Sequence, residues 1–247
     1  MRTGAIRLFR FAGITVYLHF TWFIVAALFV TSFARRYESP VWGVLEYLAL
    51  FCIVLMHEFG HALACRQVGG VADRIVLWPL GGIAFVNPPP RPGAYLWSIA
   101  AGPLVNVALI PIIGLASGIV SQDQIPGPPS DAALFFSDLN YINFGLLIFN
   151  ILPIFPLDGG QILRGLLWFP FGQFRSLQIA SVVGLIGGAL LAILGLLWQS
   201  LWTAVLAFFL LSRAWYGWQQ AKAMIVLAER GVAISPSPSV RVEEPPR

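Results

Sequence analysis

Apolar runs of about the length that crosses a bilayer recur six times in this chain, and each needs an environment that water does not provide. They cover residues 14–31, 41–64, 94–120, 139–152, 177–197 and 201–215. The fourth is short and runs into Pro153, Pro156 and the pair Gly159 and Gly160; the last two form a hairpin around Gln199 and Ser200. Only 11% of residues are charged, against roughly 25% in soluble domains, which excludes a soluble globular enzyme. Nineteen Phe and nine Trp exclude disorder for the body of the chain. The expected fold is an all-α polytopic membrane protein of about six transmembrane helices. A single domain over 1–220 would be followed by a tail, 221–247, whose Pro-rich end reads as disordered.

Fifteen Lys and Arg against 11 Asp and Glu give a net charge of +4, with nearly all the basic residues Arg scattered singly, so no nucleic-acid surface is indicated. Six crossings put Arg2, Arg7 and Arg10 on one side with Arg66, Arg74, Arg91, Arg164, Arg175, Arg213 and Lys222. Arg35 and Arg36 fall opposite, near Asp123 and Asp131. The basic side is expected to be cytoplasmic, with both termini there. A competing reading takes the first run as a signal peptide cleaved near Ser32-Phe33-Ala34. Between the second and third runs, Arg74-Ile-Val-Leu-Trp78 and Ile83-Ala-Phe-Val86 flank Pro79-Leu-Gly-Gly82 and read as a small membrane-associated β-hairpin. An ordinary interfacial loop is the alternative; a hairpin at membrane depth would have to line a cavity.

Two of the three histidines occur as His57-Glu58-Phe59-Gly60-His61, near the cytoplasmic end of the second run. On a helix His57 and His61 lie about 40° apart and one turn from each other, so both imidazoles can reach one metal ion. Glu58 points about 60° away from His61, beside such a metal, where it can move a proton. Three ionisable groups within a membrane helix are expensive and point to function rather than packing.

A catalytic zinc site needs a third protein ligand. Cys52 and Cys65 are about 20 Å apart along one helix and cannot pair, and Cys65 is about 12 Å along the axis from His57. Asp138 belongs to the outer end of the fourth run, so depth favours Asp158, which follows Asn150-Ile-Leu-Pro153-Ile-Phe-Pro156-Leu157. The competing role for Asp158 is the N-cap of a helix starting near Gln161. His19, Asn106 and Asn143 are read as hydrogen-bonded packing groups.

HEFGH at 57–61 and NILPIFPLDGG at 150–160, with LWPLGGIA at 77–84 and AAGPLVN at 100–106, resemble the site-2 proteases, a family of intramembrane zinc metalloproteases. The resemblance spans roughly residues 10–165, with the catalytic core at about 41–165. It implies one zinc per chain held by His57, His61 and Asp158, Glu58 as catalytic base, and Asn150 as a hydrogen-bonding group for substrate or tetrahedral intermediate. It also implies a transmembrane protein as substrate and the lipid bilayer as surroundings. Some members carry PDZ or nucleotide-binding CBS domains; the stretch 121–137 and the tail after Lys222 have room for neither, so a minimal form is expected. The simplest setting is a prokaryotic inner membrane with the active site toward the cytoplasm.

The expected activity is hydrolysis of peptide bonds in or near transmembrane segments, with the hairpin holding an unwound substrate by strand addition. A zinc-binding membrane protein without proteolytic activity, acting as sensor, scaffold or metal carrier, is the alternative of a different class. Glu58 separates the two, because a purely structural zinc site has no need of that carboxylate. A transporter would line several spans with polar residues, whereas the fifth and sixth runs are almost wholly apolar.

Overall fold

A computed structural model describes residues 4–33, 36–78, 81–122 and 129–230. The chain runs β1 (Ala5–Phe11), β2 (Ile14–His19), α1 (Thr21–Phe33), α2 (Pro40–Gln67), β3 (Val71–Trp78), β4 (Gly81–Asn87), α3 (Pro92–Gln122), α4 (Asp131–Ile151), α5 (Asp158–Leu197) and α6 (Leu201–Glu229). Among the described residues, four helices, α2, α3, α4 and α5, are long and apolar enough to cross a membrane. The chain divides into two compact units, one formed by residues up to Pro88 with Trp97–Ile151, the other by Pro89–Leu96 with everything from Leu152 onward.

In the first unit, two hairpins join into one four-stranded sheet in the order β1-β2-β3-β4, antiparallel within each hairpin and parallel where β2 meets β3. Parallel neighbours need a long crossover, and α1 and α2 supply it. The expected span over 14–31 is corrected here: its first six residues are strand β2 and the helix starts only at Thr21. The reason is alternation. Ile14, Val16 and Leu18 point to one face, where they are buried with Ile75 and Leu77 of β3 against Val54, Ala62 and Cys65 of α2. A count of apolar residues cannot separate that strand from the helix that follows it. The hairpin expected between the second and third helices is β3 with β4, and it is half of a larger sheet.

Helix α2 buries Gly43, Glu46, Ile53, Val54, His57, Glu58, His61, Ala62, Ala64 and Cys65, most of which recur at three- and four-residue steps from Ile53 onward. Its lower part packs on the sheet, while Ile53 meets Ile113 of α3 and Leu139 of α4. Near its start the polar groups are gathered deliberately. The Tyr37 hydroxyl lies 2.9 Å from a Glu46 carboxylate oxygen and 3.2 Å from one of Asp138, with all three residues buried. Arg36 pairs with Asp138 at 3.2 Å, and Asp131 accepts the backbone N–H groups of Glu38 and Ser39. Burial, then the neighbouring carboxylates of Glu46 and Asp138, push the Tyr37 phenol up, so it remains a proton donor.

In the second unit α5 is longer than the expected fifth span, because it begins at Asp158 and absorbs the segment before residue 177. Gly172, at φ +77°, breaks it into two helical pieces. The second piece and α6 run antiparallel after a turn in which Ser200 accepts from the Thr203 N–H. Small residues set their spacing: a Cβ at Gly195 would stand 3.0 Å from the backbone of Ala204, and one at Gly188 would stand 2.9 Å from Leu211. Helix α6 continues past Trp215, where the expected sixth span ends, to Glu229. The expected disordered end falls on residues 231–247, outside the described residues, as do Asp123 and Ala34. Leu115, Ile119, Leu196, Leu201 and Phe208 are largely exposed, as lipid-facing side chains are.

Replacing Tyr37 with Phe removes the donor between two buried carboxylates. Thermal unfolding in detergent is expected to show a loss of about 1–3 kcal/mol; an unchanged midpoint would mean that the phenol does not hold this cluster together.

Candidate metal centre

The segment HEFGH lies wholly within α2, two turns before its end, and His57, Glu58 and His61 are each 6% exposed. One helical turn brings the two rings edge to face with centroids 4.7 Å apart. Neighbouring residues fix the proton on each ring. His61 Nδ1 sits 3.0 Å from the backbone carbonyl of Ser98, which can only accept, so Nδ1 carries the hydrogen. His57 Nδ1 sits 2.6 Å from Asn106 Oδ1 and likewise donates. Both rings therefore present the Nε2 lone pair, and these two nitrogens face each other at 3.1 Å. Two acceptors that converge in a buried site repel unless a cation lies between them, so this donor set fits a zinc ion.

Small residues on α3 and β4 make the room. A Cβ on Gly102 would overlap the His61 ring and stand 2.8 Å from His57 Nε2, and one on Gly60 would meet the Ala101 carbonyl at 2.7 Å. This is the work of the AAGPLVN segment: it lets α3 lie against the histidine face of α2. On the other side, the Ala84 N–H of β4 donates to Glu58 Oε2 at 2.8 Å. A Cβ on Gly82 would overlap the Glu58 carboxylate. Glu58 is thus held by strand β4 on one flank while the imidazoles stand one residue before it and three after it on its own helix.

Asn150 stands in the last turn of α4, half-buried. Asp158 is the first residue of α5, in the second unit, and is also half-buried. The N-cap position there belongs to Leu157, so the capping alternative for Asp158 is not realised. What locates the start of α5 is Phe155. A Cβ on Gly184 would stand 2.7 Å from its carbonyl oxygen, one on Gly217 of α6 2.8 Å from its ring, and one on Gly160 would overlap its backbone. Gln161 then ties the turn from within, donating to the Pro156 carbonyl at 3.0 Å and accepting from Tyr95 at 3.2 Å.

The remaining candidates have other partners. Asp138 belongs to the Tyr37 cluster. Cys65 is buried in the core between α2 and the sheet, with its thiol on the Val71 carbonyl, and Cys52 is exposed. His19 stacks on Trp78 at 4.1 Å and bonds Thr21. Asn106, Gly102 and Gly82 shape this centre without having been singled out as site residues. Their signal in the sequence lay in the two segments that share the family resemblance, AAGPLVN at 100–106 and LWPLGGIA at 77–84, to which no residue roles were attached.

Two glycine substitutions are expected to separate metal binding from the carboxylate. Gly102→Val should abolish stoichiometric zinc in purified protein, whereas Gly82→Val should leave zinc in place and displace Glu58. Metal analysis of both variants checks this, and equal zinc in wild type and Gly102→Val would show that the hollow at residue 102 is not where the metal sits.

Comparison with known proteins supplies the lineage. The model of peptidase family M50 matches residues 116–194, a stretch that includes Asn150 and Asp158. A zinc metalloprotease of Methanocaldococcus jannaschii is 36% identical over 196 residues, a match covering 78% of this chain and 54% of that protein. The chain spans about half the length of the curated relatives it matches. The solved structure of a site-2 protease from Methanocaldococcus jannaschii superposes with a TM-score of 0.60 at 32% identity, covering 87% of this chain and 95% of that one. With its long apolar helices and these matches, the chain is an integral membrane protein belonging to peptidase family M50, the site-2 proteases.

Proposed function

We propose that this chain is an intramembrane zinc metalloprotease that hydrolyses peptide bonds in or near transmembrane segments of membrane proteins, as in regulated intramembrane proteolysis. The observation that carries the reading is the pair of buried imidazoles presenting both Nε2 atoms to one point, with the Glu58 carboxylate held on the adjacent strand. One zinc per chain would be held by His57, His61 and Asp158. When bound it supplies a Lewis acid that polarises the scissile carbonyl and makes water nucleophilic near neutral pH.

Glu58 takes the proton of the attacking water and delivers it to the leaving amine. Its bond from the Ala84 N–H fixes the carboxylate against rotation while it does so. Asn150 hydrogen-bonds the substrate or the tetrahedral intermediate. Strand β4 is an edge of the sheet, so an unwound substrate segment can add beside it and run past Glu58 in extended form. A helix hides its peptide carbonyls in its own hydrogen bonds, and substrates with weak helix formers near the cut are favoured.

The bilayer reading completes the picture. The proposed chain makes six crossings within one domain over 1–220: α1, α2, α3, α4, the second piece of α5, and α6. The hairpin of β3 and β4 sits at membrane depth. Both termini and the site face the cytoplasm of a prokaryotic inner membrane, and the tail 221–247 lies outside the membrane. The one-sided placement of Arg7, Arg10, Arg66, Arg74, Arg91, Arg164, Arg175, Arg213 and Lys222 supports this orientation.

Wild-type protein purified in detergent is expected to hold about one zinc per chain, and His57→Ala and Asp158→Ala to lose it. Glu58→Gln should keep the metal while cleavage of a transmembrane reporter falls by about a hundredfold or more. Reporter cleavage by Glu58→Gln at the wild-type rate would remove Glu58 from the mechanism. Zinc unaffected by Asp158→Ala would remove Asp158 from the ligand set.

A further inference from the structure

We infer that Asn106 of α3 and Asn143 of α4 are positioning residues for the metal centre: together they lock His57 in the Nδ1–H tautomer, so two helices that contribute no zinc ligand help set zinc affinity. This rests on the reading of His57 as a ligand.

The chain of hydrogen bonds admits one arrangement. The Asn143 side chain lies 2.9 Å from the backbone carbonyl of Asn106, which can only accept, so Asn143 must present its NH2 there. Its Oδ1 is then turned toward the Asn106 side chain, which must answer with Nδ2, at 2.8 Å. That choice leaves Asn106 Oδ1 facing His57 Nδ1 at 2.6 Å. An oxygen at this place forces the hydrogen onto Nδ1 and the lone pair onto Nε2. A flipped Asn106 would present NH2 to His57 and reverse the tautomer, withdrawing the very atom that turns toward His61. Asn143 prevents the flip.

Burial makes the arrangement strict. Asn106 and Asn143 are both 0% exposed, so no water can repair a wrong orientation and each mismatch leaves polar atoms facing each other. The pair does more than glue two helices, because a packing contact between α3 and α4 would be satisfied equally by either orientation of Asn106. Only the backbone carbonyl of Asn106, used as an anchor by Asn143, makes the direction unique. His61 reaches the same state more simply, through the Ser98 carbonyl of α3.

The histidine content makes the test practical, since a protein labelled with 15N-histidine shows only His19, His57 and His61. In metal-free full-length protein in detergent, the 15N shifts of His57 are expected to report the Nδ1–H tautomer. Asn106→Leu, and Asn143→Ala through a freed Asn106, should move it toward Nε2–H. Zinc titrated into the same samples should bind about 10–100-fold more weakly in Asn106→Leu, as for other lost partners of metal-bound histidines. Asn106→Asp, which keeps an acceptor toward His57 and as the protonated acid still donates to Asn143 Oδ1, should restore the tautomer and most of the affinity. A wild-type His57 in the Nε2–H form, or Asn106→Leu with wild-type tautomer and zinc affinity within about twofold, would overturn the inference. A wild-type protein that binds no zinc would overturn the functional reading instead, leaving the tautomer result to judge the asparagines by themselves.

Discussion

Two imidazole nitrogens face each other at 3.1 Å in the interior of the first unit, and the arrangement around them exists to make that encounter tolerable. Each ring can point its lone pair inward only if its other nitrogen has an acceptor behind it, and α3 provides both acceptors, one from a backbone carbonyl and one from a side chain. For α3 to stand that close, the residue opposite the rings must have no side chain, which is why Gly102 follows Ala101 on the face that meets Gly60. The pairing of α2 with α3 is therefore a chemical requirement before it is a packing preference.

The same economy governs three more buried polar clusters of the first unit. Glu58 finds a strand N–H, Glu46 and Asp138 share a phenol, and Asn106 and Asn143 satisfy each other. Each cluster joins elements distant in sequence, so each also fixes topology: Tyr37 binds the start of α2 to α4, and Ala84 binds β4 to the middle of the motif helix. In a low-dielectric setting such clusters cannot be exchanged for water, and a partner removed leaves its mate exposed to the full penalty of burial.

The motif helix could be read directly because His57, Glu58 and His61 are contiguous and their spacing matches one turn of a helix. The hairpin of β3 and β4 could be read because Pro79-Leu80-Gly81-Gly82 interrupts two β-rich stretches. Strand β2 could not. Ile14 to His19 alternates, but over only six residues and without a break before α1, and its parallel pairing partner β3 lies some sixty residues away in the chain. The piece of α5 after Gly172 contains the apolar run at 177–197, whereas the piece before it, from Asp158, holds Gln161, Arg164 and Pro170 and is not a continuous apolar run. Asn106 looked like ordinary interhelical glue, and its direction emerges only when three hydrogen bonds are considered together. Asp158 could be favoured by depth in the sequence, but the Phe155 turn before it depends on Gly184 and Gly217, which no motif marks.

Those glycines divide α5 and α6 into two kinds of position with different freedom to vary over time. Along the inner seam, Gly184, Gly195 and Gly217 meet backbone or ring atoms directly and Gly188 meets the Leu211 side chain, so substitutions at the first three wedge the pair apart or unseat Phe155. On the outer faces, Leu196, Leu197, Leu201, Trp202 and Phe208 are exposed and interchangeable with other apolar residues. Sequence drift in this half of the molecule should consequently be rapid in apparent similarity and slow in size pattern. Distant homologues would then be recognised there by where their smallest residues fall rather than by which large ones they carry.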